Sequence, residues 1–252
     1  MKNLISFLRI VGEYTLFTLS TLKTMIYFPK RLIVIIQQIK KVGYDSTLLI
    51  IVTSAFTGLV TALQANYQTK GYIPLSLISV MVSKTTMIEL SPVLTSLVIA
   101  GKVGASISAE IGSMKVTEQI DALEIMSVNP YEFVYMPKVV ALVCMMPLLT
   151  IISITVAIFS AFIFSNIYHH LSSEIFFSNM KAFFEHMDLW VGIVKSIVFG
   201  FIISSIATFS GARTKNGAEG VGIATTNTVV WSSIGILISD FIVAQIIFGG
   251  IK

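Results

Sequence analysis

The sequence has little charge and almost no cysteine. Of its 252 residues 12% are charged and 55% are hydrophobic, and its mean hydropathy is +0.87. Soluble domains carry about a quarter of their residues as charged side chains, so most of this chain's surface must face lipid rather than water. The single cysteine, Cys144, excludes an internal disulfide bond. We expect it to be a small core residue of a membrane-spanning helix.

The sequence also lacks the alternating pattern of a membrane β-barrel. Its apolar runs, such as 139–159, are continuous instead. A helix of about 20 apolar residues can span a bilayer while satisfying its own backbone hydrogen bonds. The chain is therefore predicted to be an all-α integral membrane protein. It would form one domain, residues 1–252, with spans at 47–67, 86–108, 138–167, 190–211 and 224–248.

No nucleotide-binding loop of the form Gly-x-x-x-x-Gly-Lys-Ser/Thr occurs in the sequence. The glycine cluster Gly217, Gly220 and Gly222 lacks the lysine–hydroxyl pair of that motif, and it indicates a flexible loop. The histidines at 169, 170 and 186 fall in a predicted solvated outer loop, without the spacing of known metal ligands. We expect no catalytic residue, metal or cofactor in this chain, so any ATP hydrolysis must reside in another subunit.

Basic residues are distributed unevenly between the predicted loops. Seven lysines and arginines precede Tyr44, and others flank residues 100–130 or lie in the loop at 212–220. Few remain for the opposite side, among them Lys70, Lys84 and Lys252. By the positive-inside rule the N-terminus and these two basic regions are cytoplasmic, and the C-terminus is outside. The net charge of +4 therefore indicates membrane orientation and not nucleic-acid binding.

Residues 1–45 form the least regular part of the sequence. The segment Ile10–Phe28 is apolar, but it contains Glu13 and Lys23 and is followed by Pro29-Lys30-Arg31. These charges favour an amphipathic helix lying in the membrane interface over a sixth span.

Four small residues recur at every fourth position of the second span: Ala100, Gly104, Ser108 and Gly112. This spacing places them on one helical face, which is typical of close helix–helix packing in lipid. We interpret them as packing residues, with a functional hinge as the alternative.

A charged segment follows this stripe. Val116, Ile120, Leu123 and Met126 have helical spacing, while Glu118, Asp121 and Glu124 fall on another side, and Asn129-Pro130 supplies a stop. The pattern predicts a short amphipathic helix over 113–126, with Thr117 as a possible N-cap and Glu118 in its first turn. The helix is either an ordinary solvated connector or a lever held by a cytosolic partner.

These residues carry a resemblance to a known family. The runs Glu89–Pro92, Ala100–Gly104, Ala109–Leu123 and Asn129-Pro130 strongly resemble the MlaE/YrbE-type permease family. Further matches lie at 195–200, 214–222, 224–226 and 239–241, in the expected order. The family comprises membrane subunits of ABC transporters that move phospholipids together with MCE-domain proteins.

The resemblance implies a homodimeric permease that works with a separate ATP-binding subunit and an MCE-domain protein. In the family the segment matching Ser113–Glu124 is a coupling helix in a groove of the ATPase. The resemblance implies that this contact is made by Lys115, Glu118, Gln119 and Asp121. It also implies that an interfacial elbow helix lies within residues 1–45. Ile88 stands where many members carry arginine before the glutamate.

Three ionisable residues interrupt the predicted spans: Glu89, Lys195 and Asp240. Charged groups at membrane depth are costly and usually mark a polar path. At about 1.5 Å per residue they lie roughly 5, 8 and 12 Å from the outer ends of their spans. They can line one outward-facing cavity in the substrate path, or Lys195 can pair with a carboxylate and hold helices together.

Two other functions are consistent with part of the sequence. An ion-coupled secondary carrier would use Glu89 and Asp240, but five spans without an internal repeat do not fit an inverted-repeat carrier. An intramembrane enzyme lacks a recognisable Ser–His–Asp arrangement. We expect a multi-pass protein of a bacterial inner membrane, with a plastid membrane as the alternative if the gene is plastid-encoded.

Overall fold

All secondary structure in the described part of the chain is helical. The computed structural model describes residues 2–69 and 77–249. Five helical stretches there are long and apolar enough to cross a membrane. The predicted class, an all-α integral membrane protein, is confirmed. Lys70 and Lys252, which the topology prediction placed on the outer side, lie outside the described residues.

The helices follow one another with short connections. They are α1 (Lys2–Lys23), α2 (Leu32–Thr69), α3 (Ile78–Thr85), α4 (Ser91–Ile99), α5 (Ala105–Val116), α6 (Gln119–Ile125), α7 (Met136–His169), α8 (Ser173–Ala182), α9 (His186–Ala212) and α10 (Gly217–Phe248). A 3₁₀ segment, Thr24–Arg31, joins α1 to α2. π-helical turns at Thr86–Leu90, Ala100–Gly104 and Tyr131–Tyr135 connect α3 to α4, α4 to α5, and the segment after α6 to α7.

Each predicted span lies inside a longer helical stretch. The second span occupies α3, α4 and α5 with the two π-helical turns between them, Ile78–Val116 in all. Pro92 lies in the first turn of α4, directly after the π-helical turn Thr86–Leu90, so the helical stretch continues through a residue that has no N–H to donate. Pro147 lies inside α7 without ending it.

The bundle is held together most extensively between α2 and α7. The Ser54 hydroxyl donates a hydrogen bond of 2.7 Å to the Ser153 hydroxyl across this interface. A Cβ added to Gly58 would overlap the backbone carbonyl of Ala157. Only glycine therefore permits this approach. Apolar residues fill the centre of the bundle: Ile99, Ile107, Ile111, Leu142, Met146, Phe199, Ile203 and Ile236.

Helix α1 lies against α9 at the end of the bundle that carries α6. The Tyr14 and Ser205 hydroxyls are 2.7 Å apart, and Arg213 forms an ion pair of 2.8 Å with Glu13. The ring of Phe17 packs at 5.0 Å from that of Tyr135. The helix ends at Lys23, earlier than the predicted segment Ile10–Phe28.

Three local expectations are wrong. Cys144 is exposed on the surface of α7 and is not a core residue. The loop predicted at 212–220 is shorter, because α10 begins at Gly217 and the glycines that follow belong to its first turns. The predicted solvated outer loop contains helix α8, whose Phe176 is fully buried.

Candidate functional site

Lys195 lies at the centre of a buried charge cluster. Its side chain is 0% exposed, and its ammonium forms ion pairs with Glu89 Oε2 at 2.6 Å and with Asp240 Oδ1 at 2.8 Å. Glu89 comes from the π-helical turn before α4, Lys195 from α9 and Asp240 from α10. The structure thus brings together all three ionisable residues that the sequence singled out.

Close backbone approach positions two members of this cluster. Gly192 precedes Lys195 by one helical turn, and a Cβ added to Gly192 would overlap the Met87 carbonyl oxygen. The absence of a side chain lets α9 contact the π-helical turn directly. Such turns are frequent at functional sites because they widen the helix locally. Here the turn carries Glu89 toward the Lys195 ammonium.

The cluster carries one negative charge in excess. One ammonium serves two carboxylates, of which Glu89 is 40% and Asp240 22% exposed. An ammonium removed from water requires compensating charge, and removing one partner from a buried pair is strongly unfavourable. The Lys195 ammonium is therefore fully used in ion pairs within the protein, while the two carboxylates remain partly exposed.

The small-residue stripe lies between α9 and α10. A Cβ added to Gly104 would lie 3.1 Å from Ile203 and 3.5 Å from Thr228, and one added to Gly112 would lie 2.8 Å from the Thr214 hydroxyl. Ala100 and Ser108 are both fully buried on the same face. Gly104 therefore faces α9 and α10 at close distance, and Gly112 faces the segment that joins them.

The predicted helix over 113–126 is wrong as a single element. Ser113 to Val116 continue α5, the chain then turns at Thr117 and Glu118, and α6 begins at Gln119. The Thr117 hydroxyl donates to the Ser113 carbonyl oxygen, so Thr117 closes α5 and is not an N-cap. Glu118 has a φ of 59° and precedes the first turn of α6. The two helices therefore form a bend that a continuous helical pattern did not indicate.

A salt bridge spans the bend. Lys115 Nζ lies 2.5 Å from Asp121 Oδ1, whereas Glu118 and Gln119 are exposed. The Gln119 amide donates to the Thr117 hydroxyl at 3.0 Å. The four predicted coupling residues therefore divide into a pair that stabilises the bend and a pair that faces outward.

Helix α6 presents an apolar end to its surroundings. Ile120 is 2% exposed and Leu123 packs against the core, as the pattern indicated. Ile125 is 85% exposed and Met126 is 64% exposed. Sequence reasoning placed Met126 on the side of Ile120 and Leu123, but α6 ends at Ile125, before Met126. It also missed Ile125, which helical spacing alone places opposite Ile120.

Sequence reasoning also missed two further charge clusters. Glu110 of α5 forms ion pairs with Lys138 of α7 at 2.7 Å and with Lys41 of α2 at 3.1 Å. At the opposite end Lys84 lies 2.9 Å from Glu185 and 3.3 Å from Asp188. Each joins distant parts of the chain, which no local sequence signal reveals.

Comparison with known proteins gives a consistent match. The family model described as Permease MlaE matches residues 35–246. A probable ABC transporter permease protein of Rickettsia typhi is 37% identical over 247 residues, which cover 98% of this chain and 95% of the relative. A probable ABC transporter permease protein of Synechocystis is 36% identical, covering 85% of this chain and 82% of the relative. The chloroplastic Arabidopsis thaliana protein TRIGALACTOSYLDIACYLGLYCEROL 1 is 34% identical over 85% of this chain and 61% of its own length.

Proposed function

The chain belongs to the MlaE permease family and is an ABC transporter permease, and we propose that it moves phospholipids between membranes as a homodimer. The observation that carries this proposal is the family match over residues 35–246. A separate ATPase subunit would drive the transport, and an MCE-domain protein would receive or deliver the lipid. The name of the Arabidopsis relative includes the name of a glycerolipid, which supports a lipid cargo.

The bend between α5 and α6 supports a contact with the ATPase. Ile125 and Met126 offer apolar surface, and Glu118 and Gln119 offer polar groups beside it. Because Ile120 is anchored in the core and Asp121 is paired with Lys115, a push on α6 would be transmitted to α5. The bend is suited to act as the coupling element between ATP hydrolysis and the membrane helices.

The surface of α10 supports assembly of two copies. Only 11% of the residues in its most apolar stretch are buried within one chain. Large apolar side chains cover its free face: Val230, Trp231, Ile234, Leu237, Ile238 and Phe241. Two such faces would enclose an apolar space for acyl chains.

The Glu89–Lys195–Asp240 cluster lies beside this face. Asp240 directly precedes Phe241, which is 70% exposed. We assign the two carboxylates to the substrate path, where their excess negative charge would favour a cationic head group or repel a free phosphate. Lys195 would hold the three helices in register.

The other end of the bundle supports contact with an MCE-domain protein. Helix α8 lies there, with Ile175 and Phe183 about half exposed. The relatives come from bacteria and from a chloroplast. We place this chain in a bacterial inner membrane, with a plastid membrane as the alternative.

Co-purification tests the proposal. The tagged chain is purified in mild detergent from cells that express its neighbouring genes, and co-purifying proteins and lipids are identified by mass spectrometry. We expect an ABC ATPase and phospholipid with the wild-type chain. Glu118→Lys combined with Ile125→Asp should lose the ATPase and retain the lipid, whereas Glu174→Lys, which changes an exposed charge on α8, should lose neither.

Reconstitution distinguishes the proposal from an ion-coupled carrier. Phospholipid movement in proteoliposomes should require the ATPase subunit and ATP. Movement by the isolated chain under an ion gradient, abolished by Asp240→Asn, would instead identify a secondary carrier.

A further inference from the structure

A cleft of about 60 Å³ opens between α2 and the segment 102–110. It lies apart from the Glu89–Lys195–Asp240 cluster, since none of those three residues lines it. Half of its lining residues carry hydrogen-bond donors, namely Gln38, Lys41, Ser46, Lys102 and Ser106, and the others are Asp45, Glu110, Val42, Val103 and Ile107. A concave site lined by amide, hydroxyl and ammonium groups is suited to an anion with several acceptor oxygens.

Lys102 contributes a charge that no described carboxylate neutralises. Its ammonium donates a hydrogen bond to the backbone carbonyl oxygen of Asp45, which carries no formal charge. It forms no ion pair within the described residues. An ammonium has three N–H donors, so two remain for a ligand in the cleft.

Lys41 lines the cleft together with the carboxylates of Asp45 and Glu110. Glu110, the carboxylate nearest to the cleft, pairs with Lys41 and also with Lys138, which is 4% exposed. Two ammonium groups thus surround one carboxylate. Among the residues that line the cleft, Lys41 and Lys102 balance Asp45 and Glu110. The one further positive charge is Lys138, which lies buried behind Glu110.

Ser46 supplies independent support for a ligand. Its side chain is 0% exposed, and its hydroxyl has no hydrogen-bond partner within the described residues. A buried hydroxyl without a partner destabilises the protein, because it has lost its hydrogen bonds to water. An anionic oxygen in the cleft would accept this hydrogen bond and remove the cost.

The cleft lies at a defined depth. Lys41 and Asp45 come immediately before the predicted span 47–67, and Lys102 lies inside the predicted span 86–108. A lysine in that position extends its ammonium toward the membrane surface. The cleft therefore opens at the cytoplasmic boundary of the predicted membrane, at the level of lipid phosphate groups.

We propose that this cleft binds the phosphate group of an anionic lipid in the cytoplasmic leaflet. Lys102, Lys41 and Ser46 would donate to the phosphate oxygens, while the acyl chains lie along the apolar surface of α2, where Leu48 and Val52 are exposed. The site is separate from the proposed substrate path and does not depend on which lipid the transporter moves.

Binding of short-chain phosphatidylglycerol to the purified transporter in neutral detergent tests this site. Lys102→Gln should weaken binding about tenfold or more, because a hydrogen bond to a charged group contributes roughly 1.5–3 kcal/mol. Ser46→Ala is a milder change and should weaken binding about two- to tenfold. Lys40→Gln removes the same charge from an exposed position that does not line the cleft, and it should leave binding unchanged. Each variant is used only if its melting temperature without lipid is not lower than that of the wild type.

Inorganic phosphate, titrated alone and as a competitor, identifies the source of the phosphate group. Weak competition at millimolar concentration would support a lipid ligand. Tight binding of inorganic phosphate with the same dependence on Lys102 and Ser46 would support the site but assign it to a soluble phosphate. Equal affinity in all variants, or an equal loss in Lys40→Gln, would overturn the proposal, because general surface charge would then explain any binding.

Discussion

The ammonium of Lys115 lies 2.5 Å from the carboxylate of Asp121, on opposite sides of the bend between α5 and α6. Both side chains are partly exposed, 34% and 47%. Exposed ion pairs contribute only about 0–1 kcal/mol to stability. The pair is therefore better suited to fix the angle of the bend than to stabilise the fold.

Asp121→Asn is expected to reduce ATP-driven transport while leaving the stability of the protein nearly unchanged. The free energy of unfolding should change by less than about 1 kcal/mol, whereas ATP-driven lipid transport should fall severalfold because α6 is no longer held to α5. Denaturant titration and transport in proteoliposomes give the two values. Glu124→Gln, an exposed change on the same helix, serves as the control. Unchanged transport in Asp121→Asn would show that the bend does not depend on this pair.

Glu118→Gly is expected to increase stability and weaken ATPase binding. Glu118 has a φ of 59°, a region that costs a residue with a side chain about 1–2 kcal/mol and costs glycine little. The melting temperature should therefore rise or stay equal. Co-purification of the ATPase should decrease because an outward carboxylate is lost. A higher melting temperature with full ATPase binding would remove Glu118 from the contact.

Lys195→Met is expected to be among the most destabilising single changes in the bundle. It leaves the Glu89 and Asp240 carboxylates close together without the ammonium, and breaking such a buried pair costs about 3–5 kcal/mol. Thermal unfolding in detergent measures the loss. Adding Glu89→Gln and Asp240→Asn to the same chain should restore most of the stability, since no uncompensated charge remains. A single variant as stable as this triple variant would contradict the ion-pair geometry.

Two glycine-to-alanine changes are expected to alter the stability of the protein in opposite directions. Gly58→Ala would overlap the Ala157 backbone, so it should destabilise the protein by about 1–3 kcal/mol. Gly222→Ala meets no atom within 4 Å. Since it lies in α10, it should stabilise that helix by up to about 1 kcal/mol. Melting temperatures of the two purified variants provide the comparison, and an equal shift in both would show that the contact between α2 and α7 is looser than described.

Much of the fold follows from the sequence, because continuous apolar runs in lipid have helices as their natural solution. Hydrophobicity alone cannot locate a break in a helix where the sequence has no glycine or proline. The bend at Thr117 and Glu118 is such a break, since Glu118 adopts a conformation that usually marks glycine or asparagine. The exposed position of Ile125 does not depend on this bend, because helical spacing from Ile120 and Leu123 already places it on the outer side of α6.

The charge cluster was only partly predictable. Interruptions of apolar spans identify Glu89, Lys195 and Asp240, and similar depths indicate that they can meet. Depth does not reveal rotation about a helix axis, so the pairing of Lys195 with both carboxylates required the structure. The pairing of Glu110 with Lys138 was missed because both lie near the ends of spans, where charges are expected in water.

The close contact of Gly58 with Ala157 has a consequence for membranes of different thickness. At about 1.5 Å per residue, residues 46–69 of α2 are roughly 36 Å long, which exceeds a hydrocarbon layer of about 30 Å. Such an excess is accommodated by tilt. Because α2 and α7 touch at Gly58, and Gly200 also brings α9 close to Met146 of α7, these three helices must tilt together as one unit when the bilayer becomes thicker or thinner.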